Sequence, residues 1–276
     1  MENETAPPLA PPPEPAPGLA PPRLPSLGDV RELLLFLLAA LALFILVQSA
    51  ALYLLAASTR PEHPGLPWPE LLRQVAERHQ FDAFFAVPVQ VVYYALLLLL
   101  LYAMVRARRG LPFWSSLALR SLPWGHAVQA LAAGILLALL INLLNLVIPP
   151  PEPLAFDRLF TGRAAALLII SASLLLAPLV EEIVFRGYIY GVLERLWGVT
   201  PAVLGSGLLF GSIHFPQLWP GFFQMLLLCL VGVVFSLARA RTGTTVASIV
   251  LHFGYNATIS FFFLLSPTFR ALPALF

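Results

Sequence analysis

The chain has 276 residues, of which 59% are hydrophobic and 11% charged, with a mean hydropathy of +0.85. Soluble domains run near half apolar and a quarter charged, so a soluble globular protein is excluded. The net charge of +2, from 16 basic and 14 acidic residues, lacks the basic excess of a nucleic-acid binder, and the single Cys229 excludes an internal disulfide framework.

What remains is an all-α polytopic membrane protein. Residues 1–28 hold 10 of the 27 prolines and begin acidic, at Glu2 and Glu4. Proline withholds the backbone donor that helices and sheets need, so a disordered tail is expected there, and no positive n-region marks a cleavable signal. Spanning helices need about 20 mainly apolar residues. Seven segments fit or nearly fit: 31–57, 83–105, 124–148, 163–194, 200–214, 221–240 and 244–265. The fifth is short because Pro216 and Pro220 follow His214. About seven to eight transmembrane helices are therefore predicted, with residues 29–123 forming an N-terminal set and 124–276 the remainder. Between the first two spans, Leu71, Leu72, Val75 and Phe81 share one side of a predicted amphipathic surface helix. A second interfacial piece is predicted at 111–123, where Phe113, Trp114 and the adjoining Trp124 suit the headgroup layer. Arg106, Arg108, Arg109 and Arg120 follow the second span, Arg239 and Arg241 follow the sixth, and Arg23 and Arg31 precede the first. With the N-terminus cytoplasmic, all three groups obey the positive-inside rule.

Ionisable groups inside these spans carry the chemistry. The fourth span contains Glu181-Glu182-Ile183-Val184-Phe185-Arg186. A carboxylate at the bilayer centre costs about 2.5–3.5 kcal/mol even on the insertion scale, so an intramembrane pair is a functional signal. Glu182 and Arg186 are i and i+4, the spacing of an ion pair. Glu181 is rotated about 100° away and has no cation at i+3 or i+4, which leaves it as the carboxylate for proton chemistry. Two further sets follow: Phe210-Gly211-Ser212-Ile213-His214, and His252-Phe253-Gly254-Tyr255-Asn256 with His and Asn one turn apart. At about 1.5 Å per residue, Glu181, His214 and His252 lie about 13, 20 and 12 Å inward from the cytoplasmic helix ends, compatible with one buried site. Gly187 with Gly191, and Gly207 with Gly211, are small-residue pairs suited to close helix approach.

Glu-Glu-x-x-x-Arg, Phe-x-x-x-His and His-x-x-x-Asn, in this order on successive apolar segments, resemble the CPBP family of intramembrane proteases (CAAX protease, bacteriocin-processing or Abi), to which the Rce1-type prenyl-protein proteases belong. The resemblance spans about 160–265. It implies an intramembrane endopeptidase with a buried catalytic cavity, acting on membrane-associated proteins or peptides in the bilayer, prenylated CAAX-type substrates among them. It assigns water activation to Glu181 and His214, and the scissile carbonyl and its oxyanion to His252 and Asn256. Glu182 with Arg186 is then a structural ion pair, and Phe210 supports the motif. The cofactor stays open. Zinc on Glu181, His214 and His252 and a metal-free water explain the same residues, and no His-Glu-x-x-His helix is present. A non-catalytic scaffold, a bacteriocin-immunity protein and a transporter are the alternatives. The intact Glu181, His214, His252 and Asn256 count against a scaffold, and the absence of a repeated motif in 29–160 counts against a transporter. Asn142 and Asn145 read as interhelical hydrogen-bonding residues, Ser171 and Ser173 as backbone-bonded helix serines, His63, His79 and His126 as solvated or interfacial, and Cys229 as a small buried hydrophobe.

Overall fold

The computed structural model describes residues 27–109 and 112–274. The predicted tail falls almost wholly outside the described residues, which open directly on helix α1 (Leu27–Thr59). A single turn (Arg60–Glu62) leads to α2 (Trp68–His79), followed by α3 (Ala83–Arg109), α4 (Phe113–Ser116) and α5 (Trp124–Val147). After a short turn at Ala155–Leu159 come α6 (Arg163–Leu175), α7 (Ala177–Glu182), a π-helical stretch at Ile183–Ile189 and α8 (Tyr190–Trp197). The chain closes with α9 (Val199–Ile213), α10 (Phe215–Leu218), α11 (Phe222–Thr242), α12 (Thr245–Leu265) and α13 (Pro267–Ala271). Among the described residues there is no strand.

Among the described residues, six helical stretches are long and apolar enough to cross a membrane: 29–62, 83–106, 124–147, 163–197, 222–242 and 245–265. The seventh, α9, has 15 residues and ends one residue before His214, where Phe215-Pro216 cannot continue it. The fold is therefore the all-α polytopic one the composition demands. The amphipathic segment forms α2, whose Leu71 and Val75 are buried against Ala56 near the end of α1. Its outer face carries Arg73, which bonds Glu70 at 2.6 Å and Glu77 at 2.7 Å. Arg73 and Gln74 hold the Glu70 carboxyl down to about 2, below the usual carboxylate range. Trp114 and Trp124 are exposed, 64% and 83%, at the edges of their helices.

Two helix pairs form the centre of the molecule, α5 with α12 and α9 with α11. Each pair meets at glycine. A Cβ at Gly254 would lie 2.8 Å from the Leu131 carbonyl oxygen, and one at Gly207 would lie 2.5 Å from the Val233 backbone nitrogen. Gly211 meets Cys229 and Gly232 meets Gly207, so the α9–α11 contact is backbone against backbone. The Gly187–Gly191 pair does not do this. Gly187 receives Leu117 of the segment after α4, with a would-be Cβ 3.2 Å from the Leu117 Cβ, and Gly191 meets only Arg195 of its own helix. That segment is held by α12: Thr245 donates its N–H to the Ala118 carbonyl at 2.9 Å and its hydroxyl to the Leu117 carbonyl at 2.7 Å.

Candidate active site

The fourth span is not one straight helix. α6 stops at Leu175, because Pro178 has no N–H to continue the ladder and its ring crowds the preceding turn. The helix restarts as α7, which carries Glu181 and Glu182 in its last turn, and passes at once into the π stretch that carries Arg186. π segments inside helices are uncommon and frequent at functional sites. Here the break and the π stretch flank the two acids on either side.

Glu182 and Arg186 are both fully buried. The Arg186 Nη1 donates to Glu182 Oε1 at 2.9 Å, its Nη2 to the Gly232 carbonyl at 2.7 Å and its Nε to the Ser236 hydroxyl at 3.3 Å. Its guanidinium also stacks over Phe210 at 4.6 Å and Phe235 at 5.2 Å. The cation thus ties the π stretch to α9 and α11, and its charge is matched by Glu182. The same Oε1 accepts from His252 Nδ1 at 2.9 Å. Glu182 therefore does more than pair with Arg186: it fixes the ring plane and tautomer of His252, with Nδ1 carrying the proton. Phe235, 4.6 Å from the His252 ring, and Phe210, edge-on at 5.9 Å, wall the imidazole in.

Glu181 points elsewhere and is half-buried. Its Oε1 accepts from the Tyr94 hydroxyl at 2.5 Å, a partner 87 residues earlier on α3. His214 is half-buried at the end of α9. Its Nδ1 lies 2.7 Å from the Phe210 carbonyl oxygen. A carbonyl only accepts, so Nδ1 carries the proton and Nε2 of the neutral ring keeps its lone pair. Asn256, one turn beyond His252, donates Nδ2 to the Ser173 carbonyl at 2.8 Å, which ties α12 to the end of α6. Phe210 is the hub: its ring lies 4.8 Å from His214, 5.3 Å from Phe185 and 6.0 Å from Phe235.

The structure thus joins Glu182, Arg186, His252 and Phe210 in one buried cluster, with His214 against it through Phe210. Among the described residues no hydrogen bond links Glu181 to His214 or His252; Glu181 and Asn256 are each held by another partner. Tyr94 went unmarked in the sequence. Its signal was available: Gln90 and Tyr94 are a polar i, i+4 pair inside an apolar span, away from the headgroup layer where tyrosine is usual. Ser171 and Ser173 bond the carbonyls of Leu167 and Ile170 in their own helix. Asn145 accepts from Gln224 of α11 at 3.2 Å.

Among the described residues no group of three or more His, Cys, Asp and Glu side chains is placed to hold a metal ion. The residues as arranged do not fit the zinc set of Glu181, His214 and His252.

Residues 163–258 match the family model described as type II CAAX prenyl endopeptidase Rce1-like. No curated protein and no solved structure matches the chain. The matched stretch is about a third of the chain and contains Glu181, Glu182, Arg186, Phe210, His214, His252 and Asn256. Together with the six long apolar helices it supports an integral membrane protein with a protease-like segment. Over residues 163–258 the chain is therefore similar to the Rce1-like type II CAAX prenyl endopeptidases.

Proposed function

We propose that the protein is an intramembrane endopeptidase that hydrolyses a peptide bond of membrane-associated proteins or peptides, with a prenylated Cys-a-a-X tail as the substrate class. One observation carries this reading. Glu181, His214, His252 and Asn256 are each tied to the protein through one atom, and among the described residues Glu181 Oε2, His214 Nε2, His252 Nε2 and the second Asn256 amide hydrogen have no such tie.

Those atoms suit one reaction. A water held by Glu181 Oε2 and His214 Nε2 gives its proton to Glu181 as its oxygen attacks the scissile carbonyl carbon. The carbonyl oxygen becomes an oxyanion, which the free Asn256 N–H and His252 Nε2 receive. As a donor, His252 Nε2 must carry a proton. The doubly protonated ring and Arg186 then share the one carboxylate of Glu182, leaving an excess positive charge that an oxyanion balances. Collapse of the intermediate breaks the C–N bond, and the proton on Glu181 passes to the leaving amine. The products are a new carboxylate and a new amino terminus. Water-poor surroundings strengthen each donor. The arginine distribution supports a cytoplasmic N-terminus, which puts the acid pair in the cytoplasmic half where a lipidated tail would enter.

The test is a farnesylated Cys-a-a-X peptide offered to the purified protein in lipid nanodiscs, with products identified by mass. Release of the three-residue tail by the wild type and not by Glu181→Ala is expected. Equal release by both, or by neither against a range of lipidated and unlipidated membrane peptides, overturns the reading.

A further inference from the structure

We infer that Tyr94 is a positioning residue for Glu181, and that α3, outside the family-matched segment, thereby completes the site. The inference rests on the endopeptidase reading above. Its basis is geometric. The Tyr94 hydroxyl donates to Glu181 Oε1 at 2.5 Å, the length of a strong charge-assisted bond. Gln90 lies one turn earlier on the same helix. A carboxylate only accepts, so the phenol hydrogen is directed at Glu181.

The consequence for Glu181 follows from what else holds it. It has no cation one turn away, and the hydrogen bonds of Arg186 go to Glu182, Gly232 and Ser236. Glu181 is half-buried at the end of a six-residue helix between a proline break and a π stretch. A carboxylate there has free χ angles unless something outside the segment fixes it. Tyr94 supplies that restraint. By occupying Oε1 it leaves Oε2 as the oxygen that meets water, and it holds that oxygen at one position. A general base must sit within hydrogen-bond reach of the proton it takes, and misplacement of about 1 Å can cost about 100-fold in rate.

The experiment compares wild type, Tyr94→Phe, Glu181→Asp and the double variant in nanodiscs on one peptide substrate. Phenylalanine keeps the ring and its packing and removes only the hydroxyl. Tyr94→Phe is expected to lower kcat about 10- to 100-fold, the worth of one hydrogen bond to a charged group, with KM within about threefold. Aspartate is one methylene shorter and draws the carboxylate away from the hydroxyl, so Tyr94→Phe should cost less than about threefold on the Glu181→Asp background. Wild-type kcat in Tyr94→Phe, or the same loss on both backgrounds, overturns the inference, the latter because a general packing defect ignores the identity of residue 181. Glu181→Ala separates the two levels. If it is inactive while Tyr94→Phe is fully active, only the positioning role fails. If Glu181→Ala is fully active, the endopeptidase reading fails and the positioning role with it.

Discussion

The two halves of the molecule meet their surroundings differently. In the spans of α1 and α3, 17% of the apolar window is buried, whereas in α11 and α12 the share is 39%. The first pair shows Leu38, Leu46, Leu54 and Leu99 outward, each more than half exposed, as suits lipid. The later helices approach through Gly207, Gly232 and Gly254 and carry the polar cluster between them. A buried charge needs fixed partners, and fixed partners need close-packed backbones, so the charged site belongs in the second region. The N-terminal region reaches that site through Tyr94.

Perturbations of the packed half should hurt most. Glu181→Ala or His214→Ala is expected to reduce peptide cleavage at least about 10³-fold while the protein accumulates normally, since each removes a group to which the proposed mechanism assigns the attacking water. Cleavage assays alongside membrane accumulation check this, and activity within tenfold of wild type would remove either residue from the chemistry. Asn256→Ala should cost about 10²–10³ in kcat, the range for one lost oxyanion donor. Because Asn256 also donates to the Ser173 carbonyl, membrane accumulation and the thermal midpoint are measured beside kcat, and unchanged values assign the loss to the oxyanion donor. Arg186→Met is expected to act on folding. It strands the buried Glu182 without its cation, a loss of about 3–5 kcal/mol, visible as poor accumulation and a lower thermal midpoint. A normal midpoint would mean that Glu182 is not charged in the native bundle. At the other end of the scale, Glu70→Gln on α2 removes an exposed ion pair with Arg73 and should leave accumulation and cleavage unchanged. A marked loss there would show that α2 is more than an interfacial cover for α1.

Much of this was visible in the chain itself, and the remainder was hidden for identifiable reasons. Apolar run length located the spans, and the i, i+4 spacing anticipated the contact between Glu182 and Arg186. Pro216 foretold the short α9. Pro178 signals the break, but the unbroken apolar run over 163–194 masks it, and the π stretch has no residue signature to mark it. The tie from His252 to Glu182 spans 70 residues and that from Tyr94 to Glu181 spans 87. Periodicity reports neighbours on one helix, not partners across helices, so both ties required the folded arrangement.

The most direct measurement is a comparison of new protein N- and C-termini in membranes expressing the wild type or Glu181→Ala at matched levels. The account predicts peptide ends present only with the wild type, lying in membrane-associated proteins. Identical sets of termini from the two folded proteins, in membranes that contain lipidated and peptide substrates, would contradict it.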